Sequence, residues 1–207
     1  WPLLMSEIDI LFFDVGGVCL TNGWDADARR AASRHFSLDF EDVEARHHTL
    51  AEAFERGDCG LEAYLAEVVF HRARPFTREA VIAFMQAQSR PHPSSLSLIR
   101  RLASENLYRL AAINNESREL NRYRIDAFGL GTIFSAFFSS CYLGVLKPDP
   151  RIYQLALEVM HAAPSRCLFI DDREENVAGA QAVGMRAIHV SGPGRLAAAL
   201  RAAGTTL

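Results

Sequence analysis

The sequence predicts an α/β fold in which a parallel β-sheet carries helices on both faces. Two observations lead to this prediction: short apolar runs that are too continuous for a sheet with one solvated face, and helical patterns between them. Such alternation is typical of parallel sheets, because each helix returns the chain across a face of the sheet. The chain has 207 residues, of which 49% are hydrophobic, enough for one large domain or for a domain with a smaller insert.

Five apolar runs are predicted as strands. They are IDILFFD (8–14), LYRLAAIN (107–114), IFSAFFSS (133–140), CLFIDD (167–172) and MRAIHV (185–190). In the helical pattern that begins at Asp149 and Pro150, apolar residues recur with the spacing of one helix face. These residues are Ile152, Leu155, Ala156 and Val159.

The connection between the first two strands is far longer than a loop. It runs from Asp14 to Leu107 and reads as several helices separated by glycines and prolines. We therefore predict a helical insert over residues 20–90, with residues 1–19 and 91–207 forming the sheet domain.

Composition argues against several kinds of partner. The net charge is −3 and no basic arm stands out, so we expect no nucleic-acid partner. No apolar run approaches the ~20 residues of a membrane span, and the start lacks the basic region of a signal peptide. Met5 is a candidate for the natural start, with Trp1 to Leu4 as an extension before it.

The cysteines favour a reducing compartment. None of the four forms a close-spaced pair, which fits reduced thiols in a cytoplasmic protein better than a disulfide framework or a zinc site. They are Cys19, Cys59, Cys141 and Cys167. We therefore expect a cytoplasmic protein, either a monomer or a homodimer.

Polar residues stand at the carboxyl ends of the predicted strands, where ligands bind in an open parallel sheet. Because these ends meet at one edge, the polar residues are expected to share one crevice. The set comprises carboxylates, amides and the sequence's only lysine: Asp14, Asn114, Asn115, Lys147, Asp171, Asp172 and Asn176.

This set of side chains suits phosphoryl transfer. Asp14 and Asp172 can hold Mg²⁺ through oxygen ligands, and Lys147 can neutralise charge on the transferring group. The amide of Asn114 and the main-chain N–H groups of the Gly16–Gly17 turn can bind phosphate oxygens. The free oxygen of Asp14 can then attack phosphorus to form an aspartyl phosphate.

Four segments resemble the motifs of the haloacid dehalogenase-like hydrolase superfamily. They are FFDVGGV (12–18), LAAINN (110–115), GVLKPDPRIY (144–153) and LFIDDREENVAGAQAVGM (168–185). The resemblance covers about the whole chain, since the insert matches the superfamily's helical cap after motif one. It implies a Rossmann-like core, Mg²⁺, an aspartyl intermediate and a cap that closes over a small phosphorylated metabolite, such as a sugar phosphate.

The resemblance also implies roles for single residues. Asp14 would be the nucleophile and a metal ligand, Gly16 would lend its backbone carbonyl to the metal, and Asp172 would bind the metal directly. Lys147 would bind the phosphate and steady Asp14. Two further residues would support the site from behind or through water: Asp171 and Asn176.

Two positions depart from the motifs. The second Asp of motif one, usually the general acid and base, is Gly16, and the Ser or Thr of motif two is Asn114, followed by Asn115. The loss of the acid is serious, because positioned proton transfer contributes ~10²–10⁴ in rate. Two possibilities stay open: a leaving group that needs no proton, such as an anomeric or acyl oxygen, and a proton donor from elsewhere in the chain. The candidate donors are Glu116, Asp25 and His47.

Two other readings stay open. One is a 2-haloacid dehalogenase, although the acidic pair of motif four would repel a carboxylate substrate. The other is a degenerate site in a binding or regulatory protein. In the insert, Asn22 and Trp24 are candidates to line the crevice, while His47 and His48 are expected to be exposed, since adjacent helical residues point about 100° apart.

Overall fold

The central feature of the fold is a parallel sheet, seen here in a computed structural model that describes residues 8–192 and 194–207. The candidate start at Met5 lies outside these residues. Within them, five strands pair in parallel in the order β3-β2-β1-β4-β5. The strands are β1 (Ile10–Phe13), β2 (Arg109–Asn114), β3 (Ala136–Ser139), β4 (Cys167–Asp171) and β5 (Arg186–His189). The predicted α/β class and its Rossmann-like sheet are confirmed.

Helices fill the connections between the strands. They are α1 (Ala26–His35), α2 (Phe40–Arg56), α3 (Leu61–Val68), α4 (Arg78–Ala87), α5 (Pro93–Glu105), α6 (Arg118–Ala127), α7 (Ser140–Leu143), α8 (Pro150–Val159), α9 (Glu174–Ala182) and α10 (Leu196–Ala202). Short 3₁₀ turns lie at Leu130–Thr132 and Pro164–Arg166. In the described part of the chain, no helix is long and apolar enough to cross a membrane.

The two faces of the sheet build two separate clusters. Side chains of β1 alternate between them, so that Leu11 and Phe13 enter one cluster, while Ile10 and Phe12 enter the other. The first cluster includes residues of α5 and α10, and the second includes residues of α8 and α9. All residues of β1 are buried, which explains why its sequence is continuously apolar.

Helices α1 to α4 share a third apolar cluster, which is joined by Leu120 of α6. The chain enters and leaves this helical region at one place, where Leu20 forms an antiparallel bridge with Pro91. Beside the bridge, the Thr21 amide donates to the Arg90 carbonyl at 2.9 Å. Both crossings therefore lie close to the loop that follows β1. The division of the chain at residues 20 and 90 stays a prediction.

The end of α2 rests on helix α7 of the sheet region. The Ser140 hydroxyl donates to the Glu55 carbonyl at 2.6 Å. Gly57 ends α2 with a φ of 79°, and a Cβ at this residue would lie 2.3 Å from the Cys141 carbonyl oxygen. The backbones therefore approach more closely than a side chain would allow.

Helix α8 buries a different face from the one that the sequence pattern predicts. Ile152 and Ala156 are fully buried as expected, but the buried face continues through Tyr153 and Leu157, and Val159 is 63% exposed. The prediction for Val159 was wrong, because the face against the sheet is centred on Tyr153 and Ala156, and Val159 is the helix's last residue.

This difference can be measured on one helix. Ile152→Ala should lower the free energy of unfolding by about 2–5 kcal/mol through the cavity it leaves. Val159→Ala should change it by less than about 0.5 kcal/mol, since the side chain already meets solvent. Urea denaturation followed by circular dichroism gives both values, and equal losses would contradict the observed helix orientation.

Candidate active site

Asp14 lies directly after β1, at the carboxyl edge of the sheet. Its amide donates to the Ile170 carbonyl of β4 at 2.8 Å, and the residue is 8% exposed. Oδ1 accepts a hydrogen bond from the Val15 amide at 2.8 Å and lies 2.9 Å from Lys147 Nζ. Among the described residues, none donates a hydrogen bond to Oδ2. One oxygen is thus held in place, while the other is available to a ligand.

The Lys147 ammonium lies buried between two carboxylates. Nζ is 2.6 Å from Asp171 Oδ2 and 2.9 Å from Asp14 Oδ1. The Lys147 backbone is held on both sides by one side chain, because its amide donates to Asn115 Oδ1 at 2.8 Å and its carbonyl accepts from Asn115 Nδ2 at 2.9 Å. Asn115 therefore positions the lysine.

Both oxygens of the Asp171 carboxylate are already bonded. Oδ2 contacts Lys147, while Oδ1 accepts from the Arg173 amide at 2.9 Å and from Asn176 Nδ2 at 3.0 Å. The Tyr153 hydroxyl in turn donates to the Asn176 carbonyl at 2.8 Å. Asp171 therefore contacts the lysine and is itself held by Arg173 and Asn176, and the roles implied for Asp171 and Asn176 stay predictions.

Burial and neighbouring charges shift the pKa values of this cluster. Desolvation raises the pKa of Asp14 to about 7; the Lys147 charge opposes the rise, and the charges of Asp171 and Asp172 add to it. Desolvation lowers the pKa of Lys147, but Asp14 and Asp171 outweigh it, so the pKa lies above its usual value. The carboxylates thus stabilise the lysine charge, and one lysine does not fully compensate them.

Asp172 offers an oxygen without a partner. Its Oδ1 is buried and has no hydrogen bond among the described residues, while Oδ2 accepts weakly from Asn22 Nδ2 at 3.4 Å. Oxygen atoms of Asp14, Asp171 and Asp172 lie within 4.8 Å of one another. A buried orphan oxygen beside an oxygen-only donor set fits a divalent cation such as Mg²⁺.

Each of the two glycines after Asp14 lies close to another residue's side chain. Gly17 has a φ of 68°, and a Cβ there would lie 2.0 Å from Asp172 Oδ2. At Gly16 a Cβ would lie 2.8 Å from Oδ1 of the exposed Asn22 side chain, which would have to move aside for a side chain at residue 16. The Gly16 carbonyl accepts from the Val18 amide at 2.8 Å and retains a second lone pair.

A cavity of about 490 Å³ opens above Asp14 between the sheet and helices α1 and α2. The predicted residues Asn22, Trp24 and Asn115 line it together with Asp14 and Lys147. Asn114 is bonded elsewhere, since its Nδ2 donates to Asn121 Oδ1 at 2.9 Å and its Oδ1 accepts from Ser139 Oγ at 2.8 Å. The phosphate contacts expected of Asn114 and of the Gly17 amide stay predictions.

The insert contributes cavity residues that the sequence did not single out. Arg29 binds Glu44 through both nitrogens of its fork, at 2.7 and 2.8 Å, and both residues line the cavity, as does Glu55. Nothing in the sequence pattern separates these residues from the other charged residues of the insert. Only the packing of α1 and α2 over the sheet edge selects them.

His47 also lines the cavity. The sequence pattern predicts that this side chain is exposed. Trp24 Nε1 donates to the Tyr64 hydroxyl at 2.9 Å, and that hydroxyl lies 2.8 Å from His47 Nδ1. Burial lowers the pKa of His47 to about 4, so the ring is neutral at pH 7. His48 is exposed as expected, with 71% of its side chain accessible.

Two of the candidate proton donors are committed elsewhere. Glu116 Oε2 is bound by Arg124 at 2.8 Å and Oε1 by the Ser117 amide at 2.9 Å. Asp25 begins α1, where its side chain accepts from the Ala28 amide at 2.8 Å. Both carboxylates are therefore already bonded to groups of the protein.

Together, the sheet and the carboxylate–lysine cluster at its edge define a Rossmann-like α/β hydrolase. A family model described as haloacid dehalogenase-like hydrolase matches residues 8–184. The chain belongs to that family.

Known proteins resemble the chain along most of its length. It is 26% identical over 199 residues to phosphatase MT3486 of Mycobacterium tuberculosis, covering 91% of this chain and 90% of that protein. It is 28% identical over 180 residues to flavin mononucleotide hydrolase 1 of Arabidopsis thaliana, covering 86% and 71%. A structure of the HAD family enzyme bt-2542 from Bacteroides thetaiotaomicron, in complex with magnesium and inorganic phosphate, superposes with a TM-score of 0.75 at 18% identity, covering 91% and 96%.

The packing of Gly17 on Asp172 can be tested with a matched glycine. Gly17→Ala and Gly129→Ala both place a side chain at a positive φ, but a Cβ at Gly129 meets nothing within 4 Å. Gly17→Ala should therefore lower the free energy of unfolding more than Gly129→Ala, whose backbone strain alone costs about 1 kcal/mol. Chemical denaturation measures both losses, and equal values would contradict the contact.

Proposed function

We propose that the chain is a Mg²⁺-dependent phosphatase that cleaves a small phosphorylated metabolite through an aspartyl phosphate on Asp14. The main support is the geometry of the Asp14 carboxylate. Oδ1 is held by Lys147 and the Val15 amide, while Oδ2 has no hydrogen-bond donor among the described residues. This orients one nucleophilic oxygen toward the cavity. The names of two relatives, a phosphatase and a flavin mononucleotide hydrolase, support the same reaction class.

Mg²⁺ would be held by Asp14, Asp172 and the carbonyl of Gly16. When bound, it would neutralise negative charge on the phosphoryl group. The orphan oxygen of Asp172 supports this site, as do the magnesium and phosphate in the bt-2542 structure. Lys147 would contact the same phosphoryl group from its place beside Asp14.

A sugar phosphate or similar polar ester suits the cavity. Its wall is dominated by charged and amide side chains, and its aromatic members, Trp24 and Phe54, lie on the insert side. The proposed partner is thus a small metabolite, and we propose no nucleic-acid or membrane partner. The protein itself would be a cytoplasmic monomer or homodimer. The cytoplasmic location rests on the unpaired cysteines, all four of which are free thiols.

The two alternatives fit the site less well. A 2-haloacid carboxylate would be repelled by the acidic cluster of Asp14, Asp171 and Asp172. The degenerate-site alternative is favoured by one observation, namely that residue 16 is a glycine and carries no acid. This alternative requires that no other residue donates a proton to the leaving group.

The nucleophile is tested by phosphate release. Asp14→Asn should abolish release from a panel of sugar phosphates, nucleotides, an acyl phosphate and an aryl phosphate, because the amide is a poor nucleophile. Asp126→Asn, at a side chain that is 74% accessible, should leave release unchanged. Each reaction is run with Mg²⁺ and with EDTA; full activity of Asp14→Asn would refute the assignment.

The metal site is tested without turnover. Mg²⁺ at 100 times its Kd should stabilise the wild-type protein by about 2.7 kcal/mol, which thermal unfolding detects. Asp172→Asn should lose this stabilisation, whereas Glu175→Gln, at an exposed residue on α9, should keep it. A metal response that survives Asp172→Asn would exclude Asp172 as a ligand.

A further inference from the structure

We infer that Glu55, on the last turn of α2, is the catalytic acid that protonates the leaving group. This inference rests on the proposed function, since it concerns the second half of the same reaction. It answers the difficulty posed by Gly16, where the acid of motif one is absent. Unlike an acid in motif one, this one belongs to the insert.

Elimination among the cavity carboxyls points to Glu55. Five line the cavity, and four of them have a partner: Asp14, Asp25, Glu44 and Glu116. In the described part of the chain, the Glu55 carboxyl has neither a hydrogen bond nor an ion pair. It is thus the cavity carboxyl that is free to exchange a proton with a ligand.

The backbone of Glu55 is fixed relative to the sheet. Ser140 Oγ donates to the Glu55 carbonyl at 2.6 Å and lies 3.1 Å from the Glu116 amide, which donates to it. Two residues later, Gly57 lies against the Cys141 carbonyl with no space for a Cβ. One hydroxyl thus links the end of α2 to the loop after β2. A general acid needs such a fixed position to meet its leaving group.

The surroundings of Glu55 favour its protonated form. The pKa of Glu55 is raised to about 7, mainly by desolvation and secondly by the negative charge of Glu116. Three cations oppose this rise. The cations belong to the elements that face it: Arg173, Lys147 and Arg29. The negative end of the α2 dipole acts in the same direction as desolvation. A carboxyl that titrates near pH 7 is suited to both donating and accepting a proton.

The proposed reaction balances in two steps. In the first, Asp14 Oδ2 forms a bond to phosphorus, the bond from phosphorus to the leaving oxygen breaks, and that oxygen takes the proton of the Glu55 carboxyl. The free alcohol departs. In the second, water attacks phosphorus and gives a proton to the Glu55 carboxylate, while the bond from phosphorus to Asp14 breaks. Inorganic phosphate leaves, and both side chains return to their initial states.

The test compares leaving groups. We would measure kcat/KM of wild-type protein and Glu55→Gln, with Mg²⁺, for a sugar phosphate, an alkyl phosphate, 4-nitrophenyl phosphate and acetyl phosphate. Glu55→Gln should lose about 10²- to 10⁴-fold on the first two, whose leaving oxygens need a proton. It should lose less than about threefold on the last two, whose leaving groups are stable anions. kcat/KM is the required quantity, because it reports the phosphorylation step.

Three further variants separate chemistry from folding. Glu52→Gln, at an exposed position one turn earlier on α2, should keep wild-type kcat/KM on every compound. Glu116→Gln should not show the selective loss of kcat/KM on the sugar and alkyl phosphates. Glu55→Asp, whose carboxyl is set back by one methylene, should recover part of the activity on the sugar phosphate and provides the test if the Gln variant does not fold.

The pH dependence gives an independent readout. Because the acid must be protonated, wild-type kcat/KM for the sugar phosphate should fall as pH rises through about 7, and this limb should be absent in Glu55→Gln. The free energy of unfolding should also fall as pH rises. The folded protein holds the Glu55 proton more tightly than the unfolded chain, so stability is lost between the unfolded pKa of about 4.5 and the folded pKa of about 7. Glu55→Gln should therefore have the higher Tm at pH 8 but not at pH 4.

The outcomes distinguish the two proposals. An equal loss on all four compounds, or no loss on any, would overturn the role of Glu55 while leaving the phosphatase proposal intact. Wild-type protein that releases no phosphate from any compound in an Asp14-dependent way would overturn both. A selective loss on the sugar and alkyl phosphates, with Glu52→Gln unchanged, would establish Glu55 as the acid.

Discussion

The contact of Lys147 with Asp14 and Asp171 is the interaction on which the site depends. Two carboxylates are buried here at 2.9 and 2.6 Å from one ammonium group. Without that charge, burial of both would be strongly unfavourable. The two carboxylates differ in the contacts that their oxygens make. Asp171 uses both oxygens to hold its neighbours, whereas Asp14 contacts the lysine through Oδ1 and has no hydrogen-bond donor to Oδ2 among the described residues.

Much of this cluster could be predicted from the sequence, because the rule that places it is topological. In a parallel sheet the carboxyl ends of all strands meet at one edge, so residues that directly follow buried strands must be neighbours. This is why Asp14 and Asp171, 157 positions apart, could be paired in advance. The rule does not say which way each side chain turns. Of two adjacent amides, Asn114 enters a buried network and Asn115 binds the Lys147 backbone.

The cavity wall contributed by the insert could not be predicted in this way. Its members are selected by how α1 and α2 pack over the sheet edge, and helical periodicity carries no information about that packing. His47 shows the difference: its sequence neighbour His48 is exposed, whereas His47 is held by Tyr64 within a chain of hydrogen bonds that starts at Trp24. Val159 shows the same limit on the other side of the molecule, where a regular apolar spacing does not identify the buried face.

An acid on the insert would tie proton transfer to the position of α2. In the proposed reaction the nucleophile, the lysine and the metal ligands all lie at the sheet edge, whereas the acid lies on α2. Glu55 reaches the cavity because Ser140 binds its carbonyl and Gly57 lets the backbone approach Cys141. Because residue 16 is a glycine, efficient cleavage of alkyl phosphates would depend on the contact between α2 and α7. Cleavage of activated phosphates, whose leaving groups need no proton, would not depend on that contact.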